Sequence, residues 1–129
     1  MTSERPILET LASEFSICRL NPSAAIPSWA LHGSVYSITR TDSELSIVCE
    51  SSQVEGAQPV ESGWRAIAVQ GPLDFSMTGL LASISAPLAD NGISIFVIST
   101  YDTDIILVKS NHVKEAQSLL MADGYRFAD

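Results

Sequence analysis

The second half of the chain switches between two hydrophobic periodicities, and this switching limits the folds that are open to it. Residues 64–71 (WRAIAVQG) alternate and end at a glycine, which is typical of a strand. After it, apolar residues recur every three or four positions, which is the spacing of an amphipathic helix. These residues are Met77, Leu80, Leu81, Ile84 and Leu88. Residues 93–99 (ISIFVIS) are apolar on both faces, which predicts a central strand.

The same half continues with a strand, a helix and a short last strand. Residues 104–108 (DIILV) predict the strand. Asn111 is a candidate N-cap for a second helix, whose predicted inner face consists of Val113, Ala116, Leu119 and Leu120. Gly124 ends that helix, and residues 125–127 (YRF) can form the last strand. The order β-α-β-β-α-β predicts an α+β, ferredoxin-like fold, with two helices on one face of an antiparallel sheet.

The first half predicts a looser, β-rich version of this arrangement. Residues 7–11 (ILETL) and 15–20 (FSICRL) are strand-like, and we expect them to pair. Residues 34–39 and 45–50 predict a hairpin, while the polar stretch 51–63 predicts a loop where the second half has a helix.

Two tandem units follow from this comparison of the halves. We expect a degenerate unit over residues 1–60 and a complete unit over residues 61–129.

Charge and hydropathy limit the partners of the chain. The formal net charge is -8, and the seven basic residues form no cluster. Phosphate groups bind cationic surfaces, so we expect neither nucleic acid nor anionic membranes as partners. No apolar run approaches the ~20 residues needed to cross a bilayer, and the first residues lack the pattern of a signal peptide. We therefore expect a cytoplasmic protein.

The sequence contains no recognisable catalytic, metal-binding or nucleotide-binding motif. His32 and His112 are isolated from the nucleophiles and bases that a catalytic group requires. Cys18 and Cys49 lie in strand-like runs, where small core residues are expected, although a disulfide remains open. We expect no catalysis, no metal and no cofactor, while an enzyme on a ferredoxin-like scaffold stays open as a third class of function.

The loop before the first helix is a candidate ligand contact. A helix start carries unpaired N–H groups and a partial positive charge, so it can bind a carboxylate. Gly79, expected in the first helical turn, would allow close approach. Ser76 or Thr78 could equally cap the helix without any ligand.

Two aspartates at the start of the strand 104–108 are the matching candidates for a cationic group. Asp102 or Asp104 could accept a charge-assisted hydrogen bond from a ligand. The alternative is an ordinary turn, since aspartate is a common turn residue.

Residues 77–108 (MTGLLASISAPLADNGISIFVISTYDTDIILV) resemble the ACT domain, in the branch that includes the CASTOR arginine sensors and their small bacterial relatives. The most specific part is 86–108. Residues 35–50 (VYSITRTDSELSIVCE) resemble the hairpin of the preceding ACT module of those sensors.

The resemblance implies a regulatory module that binds a small ligand, usually an amino acid, between two ACT units. The positions that it assigns to the ligand are Asp74, Phe75, Ser76, Met77, Thr78, Gly79, Thr100, Asp102 and Asp104. The sensors have four ACT units and this chain has about two, so we expect a homodimer, and a protein partner that the sequence does not identify. Asp74 and Phe75 stand where the sensors have a glycine- and serine-rich loop, so arginine specificity is not transferred.

A structural or interaction module of the same fold is the alternative. In that case Phe75 or Met77 would fill the space that a ligand occupies in the sensors.

Overall fold

The computed structural model describes residues 5–56, 59–71 and 79–129. Within these ranges the chain forms seven strands and two α-helices. The strands are β1 Ile7–Leu20, β2 Ser37–Arg40, β3 Leu45–Glu50, β4 Val60–Val69, β5 Ile95–Ser99, β6 Asp104–Lys109 and β7 Arg126–Phe127. The helices are α1 Leu80–Asp90 and α2 Val113–Ala122.

The chain divides into two compact units. The discontinuous unit consists of the residues up to Ala12 together with Arg65–Asp129, and the continuous unit is Ser13–Trp64. Both β1 and β4 run from one unit into the other. The predicted boundary near residue 60 stays a prediction.

The discontinuous unit contains the predicted succession of elements. After β4 the chain forms α1, β5, β6, α2 and β7. The strands β5 and β6 pair antiparallel, with a register that runs from Ile95–Val108 to Ser99–Asp104. The predicted α+β, ferredoxin-like class is therefore confirmed.

The position of β1 was not predicted. It lies next to β4, and β7 pairs with it in parallel through Ile7–Arg126 and Leu8–Phe127. The prediction that residues 7–11 and 15–20 pair with each other is wrong, because both belong to one continuous strand. Residues 12–14 contain no glycine, proline or asparagine that would favour a reversal of the chain.

The core of the discontinuous unit lies between its strands and the two helices. Its buried members are Leu8, Ile67, Val69, Ile84, Leu88, Ile93, Ile106, Val108, Val113, Ala116, Leu120 and Tyr125. The predicted inner face of α2 is confirmed, since three of its four residues are in this list and Leu119 packs against it. Asn111 is not the N-cap, because residues 110–112 form a 3-10 turn and α2 begins one residue later.

The continuous unit contains the predicted hairpin. The strands β2 and β3 pair antiparallel from Ser37–Val48 to Arg40–Leu45. Its buried core consists of Cys18, Ala30, Leu45, Ile47 and Cys49. Both cysteines are free thiols, so they are core residues and do not form the disulfide that the sequence left open.

Candidate functional site

Strand ends meet at one end of the sheet in the discontinuous unit. The hydroxyl of Thr103 donates a hydrogen bond to the carbonyl of Val69, which is the last residue of β4. Ser99 ends β5 and is paired with Asp104, the first residue of β6. The end of β4 therefore lies beside the turn that precedes Asp104.

That turn is closed by its own hydrogen bonds. The N–H of Thr100 donates to the carbonyl of Thr103 at 2.8 Å. The N–H of Thr103 donates to the hydroxyl oxygen of Thr100 at 3.1 Å. The hydroxyl of Thr100 in turn donates to the carbonyl of Thr103, also at 3.1 Å. Tyr101, which is 80% exposed, and the exposed Asp102 occupy the tip. These bonds give Thr100 a structural role in the turn, and its contact with a ligand stays a prediction.

Asp104 is oriented by a neighbouring serine. The hydroxyl of Ser99 donates to Oδ1 of Asp104 at 2.6 Å. Alternate residues of a strand face the same side, so the Asp104 side chain lies on the face of Ile106 and Val108, which are fully buried in the core. Asp104 itself is partly exposed. It therefore stands at the rim of the helix-covered face, where the core ends.

The helix α1 begins at the same end of the sheet. It ends at Asp90, and β5 begins shortly afterwards at Ile95, whose partner Val108 lies at the opposite end of β6 from Asp104. The helix therefore runs away from the end that carries Asp104. Its first residue, Leu80, packs against the core on the same face of the sheet.

Gly79 is the N-cap of α1 rather than a member of its first turn, so that prediction is wrong by one residue. Its φ of 80° lies in the left-handed region, which glycine adopts without a steric cost. Its carbonyl accepts the N–H of Ser83 at 2.8 Å. A Cβ at Gly79 would meet nothing within 4 Å in the part of the chain that the structure describes.

A cationic group that the sequence did not predict lies beside the first turn of α1. The Nη1 of Arg5 donates to the hydroxyl of Tyr125 at 3.1 Å and to the hydroxyl of Ser83 at 3.4 Å. The guanidinium also stands 4.6 Å from the centre of the Tyr125 ring, a cation–π distance. Separations of 78 and 120 positions leave no local pattern that could reveal these contacts.

Five of the predicted ligand contacts cannot be placed in this geometry. Asp74, Phe75, Ser76, Met77 and Thr78 lie outside the described residues, as does the predicted capping of the helix by Ser76 or Thr78.

Among the described residues, no group of three His, Cys, Asp or Glu side chains could hold a metal ion. Within the same ranges, no helix has the length and apolar character needed to span a membrane.

Comparison with known proteins identifies the family. The ACT domain family model matches residues 60–122, and a second model, described as an N-terminal domain, matches residues 13–56. The solved structure of protein Atu0741 from Agobacterium tumefaciens is 43% identical, with a TM-score of 0.90 over 97% of this chain and 93% of that one. Residues 60–122 of this chain belong to the ACT domain family.

Two further relatives extend the comparison. The human protein CASTOR3P is 35% identical in an alignment of 86 positions that covers 57% of this chain and 53% of that protein. The chain thus spans about half the length of this relative. The regulatory subunit of aspartate kinase from Thermus thermophilus shares the fold alone, at 9% identity and a TM-score of 0.60 over 94% of this chain and 97% of that one. The resemblance to ACT proteins of the CASTOR branch is confirmed.

Proposed function

We propose that this chain is a non-catalytic regulatory module that binds an amino acid at an interface between ACT units of two copies. The observation that carries the proposal is the common position of Asp104 and the start of α1, on one face and at one end of the sheet. An amino acid carries an ammonium and a carboxylate. The carboxylate of Asp104 can accept a hydrogen bond from the ammonium of the amino acid, and the N–H groups of a helix start can donate to its carboxylate.

The ligand contacts that we propose come from residues 74–79, before α1, and from residues 100–104, before and at the start of β6. They are Asp74, Phe75, Ser76, Met77, Thr78, Gly79, Thr100, Asp102 and Asp104. Arg5 supports the arrangement, because its charge beside the first turn of α1 adds to the partial positive charge of the helix start.

A second copy would complete the site. Asp104 is only partly buried, and a charge-assisted hydrogen bond gains strength when water is excluded from it. The regulatory effect would follow if the amino acid stabilises the paired arrangement and so favours one state of a protein partner.

We place this module in the cytoplasm, without nucleic acid or membrane partners. The buried free thiols Cys18 and Cys49 suit a reducing compartment. The formal net charge of -8 disfavours binding to phosphate backbones and to anionic lipid surfaces.

A thermal-shift screen against the twenty amino acids tests the proposal. Binding to the folded state stabilises it by ~2.7 kcal/mol at a hundredfold excess over Kd. We expect one chemical class of amino acid to raise the melting temperature. Asp104→Asn should abolish that rise, whereas Asp90→Asn, a change of an exposed carboxylate at the other end of α1, should preserve it.

The outcomes separate ligand binding from its alternative. An undiminished rise in Asp104→Asn would remove this residue from the site. If no amino acid raises the melting temperature, the structural or interaction module is favoured. The hydrogen bonds of Ser99 and of the turn 100–103 would then be sufficient reason for these polar residues.

Light scattering tests the role of the second copy. A ligand site shared by two copies requires a particle of about twice 13.9 kDa in the presence of the amino acid. A monomer that binds the amino acid with the same affinity would contradict the shared site.

A further inference from the structure

A chain of hydrogen bonds connects Arg5 to the first turn of α1. Nη1 of Arg5 donates to the hydroxyl of Tyr125 at 3.1 Å and, over a longer distance of 3.4 Å, to that of Ser83. The hydroxyl of Ser83 donates its single hydrogen to the carbonyl of Leu80 at 3.0 Å. The hydroxyls of Tyr125 and Ser83 are also bonded to each other, so Tyr125 is the donor in that bond. Every bond therefore points the same way, from the cation to the carbonyl of Leu80.

The carbonyl of Leu80 and the N–H of Leu81 belong to one peptide group in the first turn of α1. The N–H of Ser83, which donates to the carbonyl of Gly79 at 2.8 Å, is the first N–H of α1 with an acceptor inside the helix. The N–H of Leu81 is therefore one of the donors that a helix start offers to an anion. Hydrogen bonds in a chain polarise one another, so the bond accepted by the Leu80 carbonyl makes the Leu81 N–H a stronger donor.

Arg5 lies at the same end of the sheet as Asp104. The carbonyl of Ile7, two residues after Arg5, accepts the N–H of Gln70 at 2.9 Å, directly after β4. At the same end of β4, the carbonyl of its last residue accepts the hydroxyl of Thr103. The cation at the head of the hydrogen-bond chain and the carboxylate of Asp104 therefore stand at one end of the sheet, where an amino acid with both charges can meet them.

We infer that Arg5 is a positioning residue that strengthens the binding of the ligand's carboxylate at the start of α1, and that it acts through the hydroxyls of Tyr125 and Ser83. This inference rests on the proposed function, because it assumes that the amino acid places its carboxylate at the helix start. It deepens that function by giving the carboxylate half of the site three residues that the sequence did not predict. The Tyr125 ring, 4.6 Å from the guanidinium, holds the cation in place before the ligand arrives.

Amino acids and their α-amides test the inference, because the amide keeps the ammonium and the side chain but lacks the negative charge of the carboxylate. Each of the twenty amino acids is compared with its α-amide by thermal shift on the full chain, and the pairs that bind are titrated by calorimetry. The native protein should prefer the acid to the amide. We expect Arg5→Gln to lower that preference about three- to tenfold, the scale of a charge at a helix end, and to leave the affinity for the amide nearly unchanged.

Variants of the hydrogen-bond chain separate this role from a purely structural one. Tyr125→Phe and Ser83→Ala keep Arg5 but break the chain, and each should lower the preference in the same direction as Arg5→Gln. Arg5→Lys keeps the positive charge and a donor, so it should retain more of the preference than Arg5→Gln. Arg126→Gln is the matched control, because it removes the same charge from an exposed arginine next to Tyr125 in the chain, and it should leave the preference unchanged. A loss of folded protein would lower both affinities by the same factor and leave their ratio unchanged.

Four results would overturn the inference while Asp104→Asn still abolishes binding and the proposed function stands. The first is a native protein that binds the amide as tightly as the acid, and the second is an unchanged preference in Arg5→Gln. The third is an equal fall in Arg126→Gln, which would show a general effect of charge. The fourth is a fall in Arg5→Gln that Tyr125→Phe and Ser83→Ala do not share, because Arg5 would then act without the chain. If no amino acid binds the native protein, or if Asp104→Asn binds normally, the proposed function itself fails and the inference fails with it.

Discussion

Replacing Leu8 with alanine tests whether the beginning of the chain belongs to the discontinuous unit. Leu8 is fully buried, in the same core as residues of α1, β6 and α2. Its carbonyl accepts the N–H of Ala128 at 2.7 Å, just after β7. Under the division predicted from the sequence, Leu8 would instead belong to a separate module of residues 1–60.

The size of the effect follows from burial. A Leu→Ala change at a fully buried position removes the transfer free energy of the side chain and leaves a cavity, at a total cost of about 2–5 kcal/mol. The free energy of unfolding of a small domain falls by about 1–3 kcal/mol per M of urea, so a loss of about 3 kcal/mol in that free energy lowers the urea midpoint by about 1–3 M. Such a loss is a large part of the free energy of unfolding of a small domain.

Two spectroscopic probes distinguish the units. Among the described residues, both α-helices lie in the discontinuous unit, so circular dichroism at 222 nm follows its unfolding. Trp29 and Trp64 are the two tryptophans of the chain, and both lie in the continuous unit, so their fluorescence follows that unit. Leu31→Ala is the matched control, because Leu31 is 49% exposed and its loss should cost no more than about 0.5 kcal/mol.

In Leu8→Ala, the transition observed at 222 nm must move to lower urea by at least about 1 M, within the range worked out above. If that transition coincides with the native one while the fluorescence transition moves, Leu8 stabilises the other unit, and our assignment of the N-terminal residues to the discontinuous unit is refuted.

Three further predictions concern ionisable groups. Hydrogen bonds from the backbone and side chain of Ser34 and from Ser13 lower the pKa of Glu50, so its stabilisation is present above the unfolded pKa and is lost as pH falls through the folded pKa. Glu50→Gln should therefore lower the free energy of unfolding by about 0.5–1 kcal/mol at neutral pH, given solvent screening. The urea midpoints of the native protein and the variant should converge towards pH 3. A difference in midpoint that stays constant with pH would contradict this. Burial, and to a smaller extent the neighbouring Cys18 and Glu50, raise the pKa of Cys49 to about 11. The native protein at pH 8 should therefore react slowly with a thiol reagent that labels both cysteines after unfolding. Rapid labelling of the native protein would contradict the burial. Because the pKa of Cys49 is raised in the folded state, its contribution to stability is present below the unfolded pKa near 9.0 and is lost as the pH rises towards 11. The melting temperature should therefore fall across this pH range in thermal melts. A constant melting temperature would show that ionisation of Cys49 does not change the stability.

The element order could be predicted from the sequence because each helix and strand has a local pattern. The apolar spacing of α2 predicted its buried face. The insertion of β1 between β4 and β7 could not be predicted this way. It depends on the pairing of Leu8 with Phe127, and no periodicity connects two segments so far apart in the chain.

The candidate site shows a similar division. The position of Asp102 and Asp104 at the start of a predicted strand drew attention to the turn before Asp104. The structure brings that turn beside the end of β4 through Thr103. The bond from Ser99 to Asp104 escaped prediction although the residues are five positions apart, because it depends on their register as a cross-strand pair. The start of α1 was misplaced because a glycine can serve either a helical turn or a left-handed cap.

The pairing of Ile7 and Leu8 with Arg126 and Phe127 has a consequence for the order of folding on the ribosome. The continuous unit is encoded by one uninterrupted stretch, so all of its strand partners have been synthesised once Trp64 has left the exit tunnel. The discontinuous unit must wait, with the first half of β1 lacking its β7 neighbour, until the last strand is released. Contacts this distant in sequence close slowly, and an unpaired strand is open to pairing with other chains. Nascent chains stalled before β7 should therefore be more prone to aggregation than the finished protein.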